Sequence, residues 1–190
     1  MIDGRICRVP AISTQRRCAA TASCASALIG AIALISAASA AGYAKLTPLA
    51  EPIPPAIEAR DLEGGALTVA ADPQRVTLVH FFASWCEPCE RELPGLTRFL
   101  NERPDDVRLV GVAVGEPASR AKKFVDRFSL PGPVASDPDK DIAKAFGVRG
   151  LPATVAIAPA GRAALSATGE LEWGASPTRD AITGLKSEEH

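Results

Sequence analysis

Two cysteines three residues apart, Cys86 and Cys89, stand directly behind the run Val76-Thr77-Leu78-Val79-His80-Phe81-Phe82-Ala83. So continuous an apolar, β-branched and aromatic stretch is the pattern of a central strand covered on both faces. From Cys86 to about Asn101 the spacing changes, placing Leu93, Leu96, Phe99 and Leu100 on one helical face, with Pro94 expected to kink the helix. A strand that feeds straight into a helix sets Cys86 at the helix N-terminus. Unpaired N–H groups and the helix dipole favour a thiolate there, the form that attacks disulfides. Cys89 lies one turn on, along the same face, and can close a disulfide with Cys86. Cys86 is therefore expected to be the exposed nucleophile and Cys89 the resolving thiol. Pro88 fixes φ inside the first turn without forfeiting a helical hydrogen bond.

Other uses of the pair compete with this one. The remaining cysteines, Cys7, Cys18 and Cys24, fall in the first 24 residues and have no partner motif. A bridge between Cys86 and Cys89 closes so short a loop that a structural staple is a poor explanation. Zinc normally takes four ligands, and beyond Cys86 and Cys89 the folded part offers only His80 and the terminal His190, so a structural zinc site is the minor alternative. A soft Cu(I) site on the two thiolates stays open as a second function, although Met1 is the only methionine. A peroxidase would use a lone peroxidatic cysteine rather than a close pair. No metal and no cofactor is expected. With 47% apolar residues the chain can build a packed core, so disorder is excluded. A net charge of −1 and the lack of a basic run exclude nucleic acid as a partner.

The chain divides into three stretches. Residues 1–44 carry Arg5, Arg8, Arg16 and Arg17, then no charge from Cys18 until Lys45, with Ala27–Ile35 the most apolar run. This is the pattern of a signal peptide, with Ala38-Ser39-Ala40 fitting a cleavage site, or of an uncleaved membrane anchor. Residues 45–60 hold Pro48, Pro52, Pro54 and Pro55 and predict a stiff, extended linker. Residues 61–187 form the domain. Beyond the first strand and helix, the patterns predict a strand over 107–115 and helices over 118–128 and 137–146, the latter with Asp137 as N-cap and Gly147 as stop. Strands over 153–157 and 163–167 follow, joined at Pro159-Ala160-Gly161, and a last helix runs over 176–185. The class is α/β, a mixed sheet flanked by helices.

Trp85-Cys86-Glu87-Pro88-Cys89, followed by Glu92-Leu93-Pro94, resembles the TlpA/ResA branch of membrane-tethered bacterial thioredoxin-like proteins, over roughly residues 61 to 185. Gly111-Val112-Ala113-Val114-Gly115-Glu116 resembles that branch's strand ending in an active-site glutamate, and Asp137 to Gly147 its extra helix. Gly150-Leu151-Pro152 resembles its cis-proline loop, and Gly169 to Trp173 also looks TlpA-like. The resemblance implies a thioredoxin-like sandwich with Pro152 facing the cysteines. It further implies that Leu151 pairs its backbone with an extended substrate, that Glu116 relays a proton to or from Cys89, and that Trp85 covers the disulfide and contacts clients. It implies a reductant on the periplasmic side of the inner membrane, fed by a membrane thiol donor. The implied clients are disulfide-bearing proteins, either apocytochrome c or copper-site proteins.

Two residues bear on how the pair is tuned. Glu87, beside the nucleophile, disfavours the thiolate unless it is solvated and screened, and so argues for a reductant rather than an oxidase or isomerase. His80 stands six residues before Cys86, where thioredoxins carry Asp and TlpA-like proteins often Asn. It is either a neutral core histidine bonded to the backbone or a group beneath Cys89 that tunes its proton exchange.

Overall fold

A computed structural model describes residues 42–50, 52, 54 and 56–187. The expected signal or anchor lies outside the described residues, apart from its last three. Among the described residues no helix is long and apolar enough to cross a membrane.

Among the described residues eight strands form one mixed sheet: β1 (Thr47–Pro48), β2 (Ile57–Asp61), β3 (Ala66–Val69), β4 (Val76–Phe82), β5 (Val107–Val114), β6 (Val134–Asp137), β7 (Ala153–Ile157) and β8 (Ala164–Thr168). Their order across the sheet is β1-β8-β7-β4-β5-β6-β2-β3, with β4, β5 and β6 parallel and the other pairings antiparallel. Every residue of β4 is buried, as its unbroken apolar run requires. Among the described residues four α-helices complete the fold: α1 (Glu87–Asn101), α2 (Ala118–Phe128), α3 (Asp141–Ala145) and α4 (Ser176–Ser187).

Side chains alternate across the pleat, so β4 serves two cores at once. Leu78 and Phe82 join Leu93, Leu96 and Phe99 of α1, Phe124 of α2 and Ile182 and Leu185 of α4. Val79 and Phe81 join Val110 and Val112 of β5, Val155 of β7 and Ile142 of α3. Leu93, Leu96, Phe99 and Leu100 all lie on the buried face of α1, and the helix continues through Pro94.

Two expectations are corrected. The Pro-rich stretch does not simply stand off the domain, because β1 pairs with β8 and β2 is hydrogen-bonded to β3 and β6. Proline lacks an N–H, but an edge strand such as β1 has a side that makes no ladder bonds, and Pro48 is tolerated there. The helix expected from Asp137 begins only at Asp141, and Asp137 ends β6 instead. Its carboxylate still acts as a cap, accepting from the N–H groups of Ile142 (3.1 Å) and Ala143 (2.9 Å). Gly147 follows the helix at φ +67, where the missing Cβ allows the chain to turn away. β1, β2, β3 and β6 were not anticipated; each has five residues or fewer and is defined by its partners rather than by its own pattern.

Candidate active site

The chain leaves β4 at Phe82, turns through Ala83-Ser84-Trp85 and enters α1 at Cys86, which is the N-cap. Cys86 has extended backbone angles, its N–H donates to the Ala83 carbonyl (3.1 Å), and its carbonyl accepts from the Glu90 N–H (3.2 Å). Its Sγ accepts from the Cys89 N–H at 3.3 Å and is covalently joined to the Cys89 sulfur, with the two Cα atoms 5.3 Å apart. The sulfur thus sits where a capping oxygen normally does, facing the unpaired N–H groups of the first turn. Pro88 occupies that first turn. Cys86 retains 6% of its surface and Cys89 none, which orders the two as expected but leaves Cys86 far less open than an exposed nucleophile.

A groove of roughly 490 Å³ runs beside Cys86, lined among others by Trp85, Glu87, Pro88, Val114, Val148 and Leu151. Trp85 is 57% exposed, so it stands over the groove rather than in the core. Glu87 is exposed and ion-paired with Arg91 (2.9 Å), which also binds Glu170 (2.6 Å); its charge is therefore offset by a neighbouring cation. The Leu151–Pro152 peptide is cis, with Pro152 buried and Leu151 half-buried at the groove.

Glu116 follows β5 and is buried. Its Oε1 accepts from the Ser84 N–H at 2.7 Å, and its Oε2 accepts from the Ser84 hydroxyl. The carboxylate therefore clamps the turn that delivers Cys86. Ser84 was missed in the sequence, because a lone serine beside a Trp-Cys pair carries no pattern of its own.

His80 lies fully buried in β4, on the same sheet face as Leu78 and Phe82, the face that α1 and Cys89 pack against. Its Nδ1 is 3.0 Å from the Thr154 hydroxyl and its ring stacks on Phe82, while Nε2 has no partner among the described residues. Burial holds its pKa down at about 3, so the imidazole is neutral. It bonds a side chain, not the backbone partner expected of a core histidine.

Glu92, three residues past Cys89, is a second group, present in the motif that follows the cysteines but given no role by the sequence. It is buried, with Oε1 accepting from the Trp173 indole N–H (2.7 Å) and the Leu171 N–H (3.2 Å), and Oε2 unpartnered among the described residues. Burial pushes its pKa up to about 7, against the pull of those two donors. A signal was present: Glu92 is one turn before Leu96, an acid on the apolar stripe of α1.

A family model described as the AhpC/TSA family matches residues 51–164. Curated relatives include thiol-disulfide oxidoreductases ResA. The one from Geobacillus thermodenitrificans is 33% identical over 58% of this chain and 64% of its own length, and that from Halalkalibacterium halodurans is 32% identical over 51% and 56%. The chain thus spans little more than half the length of such relatives. Among solved structures, a thioredoxin-family thiol:disulfide interchange protein from Chlorobium tepidum superposes with a TM-score of 0.60 at 23% identity, covering 72% of this chain and 97% of that one. StoA from Bacillus subtilis gives a TM-score of 0.55 at 23% identity, covering 65% and 94%. The fold they share is the thioredoxin-like sandwich.

Proposed function

Because this chain belongs to the AhpC/TSA family and is similar to the ResA proteins, we propose that it is an extracytoplasmic thiol–disulfide oxidoreductase that reduces disulfides in client proteins. The carrying observation is the Cys86 sulfur, placed as the cap of α1 at the edge of a groove and bonded to a fully buried Cys89.

In the reduced protein the Cys86 thiolate attacks one sulfur of a client disulfide. The client S–S bond breaks, a mixed disulfide forms, and the first client sulfur leaves as a thiolate. Cys89, deprotonated, then attacks the Cys86 sulfur, forming the Cys86–Cys89 bond and releasing the second client thiolate. Two electrons pass to the client, whose two thiolates take up the protons that the cysteines gave up. The helix N-terminus stabilises the charge on the Cys86 thiolate before it attacks.

The other site residues have supporting roles. Trp85 offers an exposed ring to the client. Leu151 makes no backbone hydrogen bond among the described residues, which suits pairing with an extended client segment, and Pro152 closes the same loop. Glu116 fixes the approach turn through Ser84, and its proposed role is to exchange a proton as the Cys89 thiol ionises. His80, neutral and with a free Nε2 on the Cys89 side of the sheet, tunes that ionisation. An N-terminal signal or anchor puts the domain on the periplasmic side of the inner membrane, where a membrane thiol donor re-reduces it and apocytochrome c or copper-site proteins are the clients.

Trapping tests the reading. Cys89→Ser in the intact chain is expected to hold a client on Cys86 as a mixed disulfide that dithiothreitol releases. A reduction potential below about −200 mV fits a reductant. A potential near the strong-oxidant end, about −120 mV, reverses the direction. Insulin reduction that survives Cys86→Ser defeats the assignment altogether.

A further inference from the structure

The groove beside Cys86 is apolar along its length and one-sided in charge at its rim. Val114, Ala143, Val148 and Leu151 line it, and around them stand Lys140, Lys144 and Arg149 against the single carboxylate of Glu87. Two of these charges are already matched: Lys144 pairs with Asp141 (2.9 Å) and Glu87 with Arg91 (2.9 Å). Among the described residues no carboxylate forms an ion pair with Lys140 or Arg149, and both are exposed.

Lys140 is also held in place. Its N–H donates to the Asp137 carbonyl (3.2 Å), and its backbone sits at φ +64. Its side chain lies across Gly115, at φ +66, where a Cβ would come within 2.8 Å of the Lys140 Cε. The glycine that follows β5, directly before Glu116, leaves the space that the lysine stem occupies.

We propose that this groove selects its clients by acidic residues flanking the attacked half-cystine. The occupant is an extended segment of a disulfide-bearing protein, with an apolar side chain in the groove and a carboxylate reaching Lys140 and Arg149. The inference rests on the thiol–disulfide reading above and names its substrate class. Unmatched cations around an apolar trough are complementary to such a segment and repel a basic one. Being exposed, they act mainly on encounter, so the preference is screened by salt.

Three oxidised peptides test it, each with one internal disulfide and a leucine beside the attacked cysteine, and with two flanking positions set to Glu, Gln or Lys. Their reduction by the reduced full chain is followed by release of peptide thiols. The acidic peptide is expected to react about tenfold faster than the basic one at low salt, the neutral peptide falling between, and the ratio to approach one near about 0.5 M NaCl. In Lys140→Gln/Arg149→Gln the ratio should fall at least threefold. Since Lys140 has a constrained backbone, Arg149→Gln alone, expected to lower the ratio in part, provides the same reading if the pair does not fold. Equal rates for the three peptides at low salt, or an undiminished ratio in the variants, overturn the proposal. Uncharged hydroxyethyl disulfide separates the two levels. If the wild-type chain reduces it but does not discriminate among the peptides, only the selectivity falls; if it reduces neither, the thiol–disulfide reading falls as well.

Discussion

Glu92 and His80 are both buried, and they give stability opposite dependences on pH. The Glu92 carboxyl is raised by burial from 4.5 to about 7, so the folded state binds a proton that the unfolded chain releases. Its contribution is intact below pH 4.5 and is lost as pH rises through 7, by roughly 3 kcal/mol at 1.36 kcal/mol per pH unit. Glu92→Gln should therefore gain stability relative to the wild type between pH 4.5 and pH 8, as read by urea unfolding of the oxidised protein. A constant difference across that range would mean the carboxyl titrates normally. His80 runs the other way, lowered by burial from 6.5 to about 3. Its contribution is complete above pH 6.5 and drains away as pH falls toward 3, by a few kcal/mol. His80→Asn is expected to unfold at lower pH than the wild type in an acid titration. The same variant bears on catalysis: a pH profile of disulfide reduction identical to wild type would end the tuning role of His80.

At the level of elements, the site depends on two short connections. The turn from β4 to α1 is clamped by Glu116 through Ser84, and the segment from β6 to α3 is clamped by Asp137 through Ile142 and Ala143. α3 is only five residues long and cannot be stable by itself. Asp137→Ala leaves two helix N–H groups without acceptors and is expected to cost about 1–2 kcal/mol by chemical unfolding, with Asp137→Asn costing less. A loss well under that would show that backbone contacts alone hold the helix. α1 relies instead on area: Leu93, Leu96 and Phe99 are all essentially inaccessible, packed with Trp173 and Ile182. The ion pairs around it, such as Arg127 with Glu90, are largely exposed and contribute little.

Across the whole molecule, stability should be graded from the centre of the sheet to its edges. β4 is paired on both sides, to β5 and β7, and is buried throughout, whereas β1 is a two-residue edge strand held only by β8. Amide hydrogen exchange should accordingly be slowest in β4, β5 and β7, and near the unprotected rate in β1. Protection of Thr47 comparable to that of Val79 would contradict this gradient. The Cys86 turn emerges from the slowest-exchanging strand, which gives the reactive sulfur a rigid base on one side, while the groove's other wall comes from the small α3 segment.

What the amino-acid order determined by itself was local. The run from Val76 to Ala83, the apolar stripe of α1 and the Cys86–Cys89 spacing each carry their meaning within a dozen residues, because strand and helix periods and thiol reach are short-range properties. Those features were enough for the fold class and for the central pair. The tertiary structure decided whatever depends on a partner far along the chain. Ser84 meets Glu116 across 32 residues, His80 meets Thr154 across 74, and Glu92 meets Trp173 across 81. The short strands β1, β2, β3 and β6 likewise exist only because the sheet supplies hydrogen-bond partners, and Lys140 comes to the rim of the Cys86 groove only because β6 lies beside β5. Burial, and with it the pKa of Glu92 and of His80, is a property of the assembled surroundings and is carried by no residue alone.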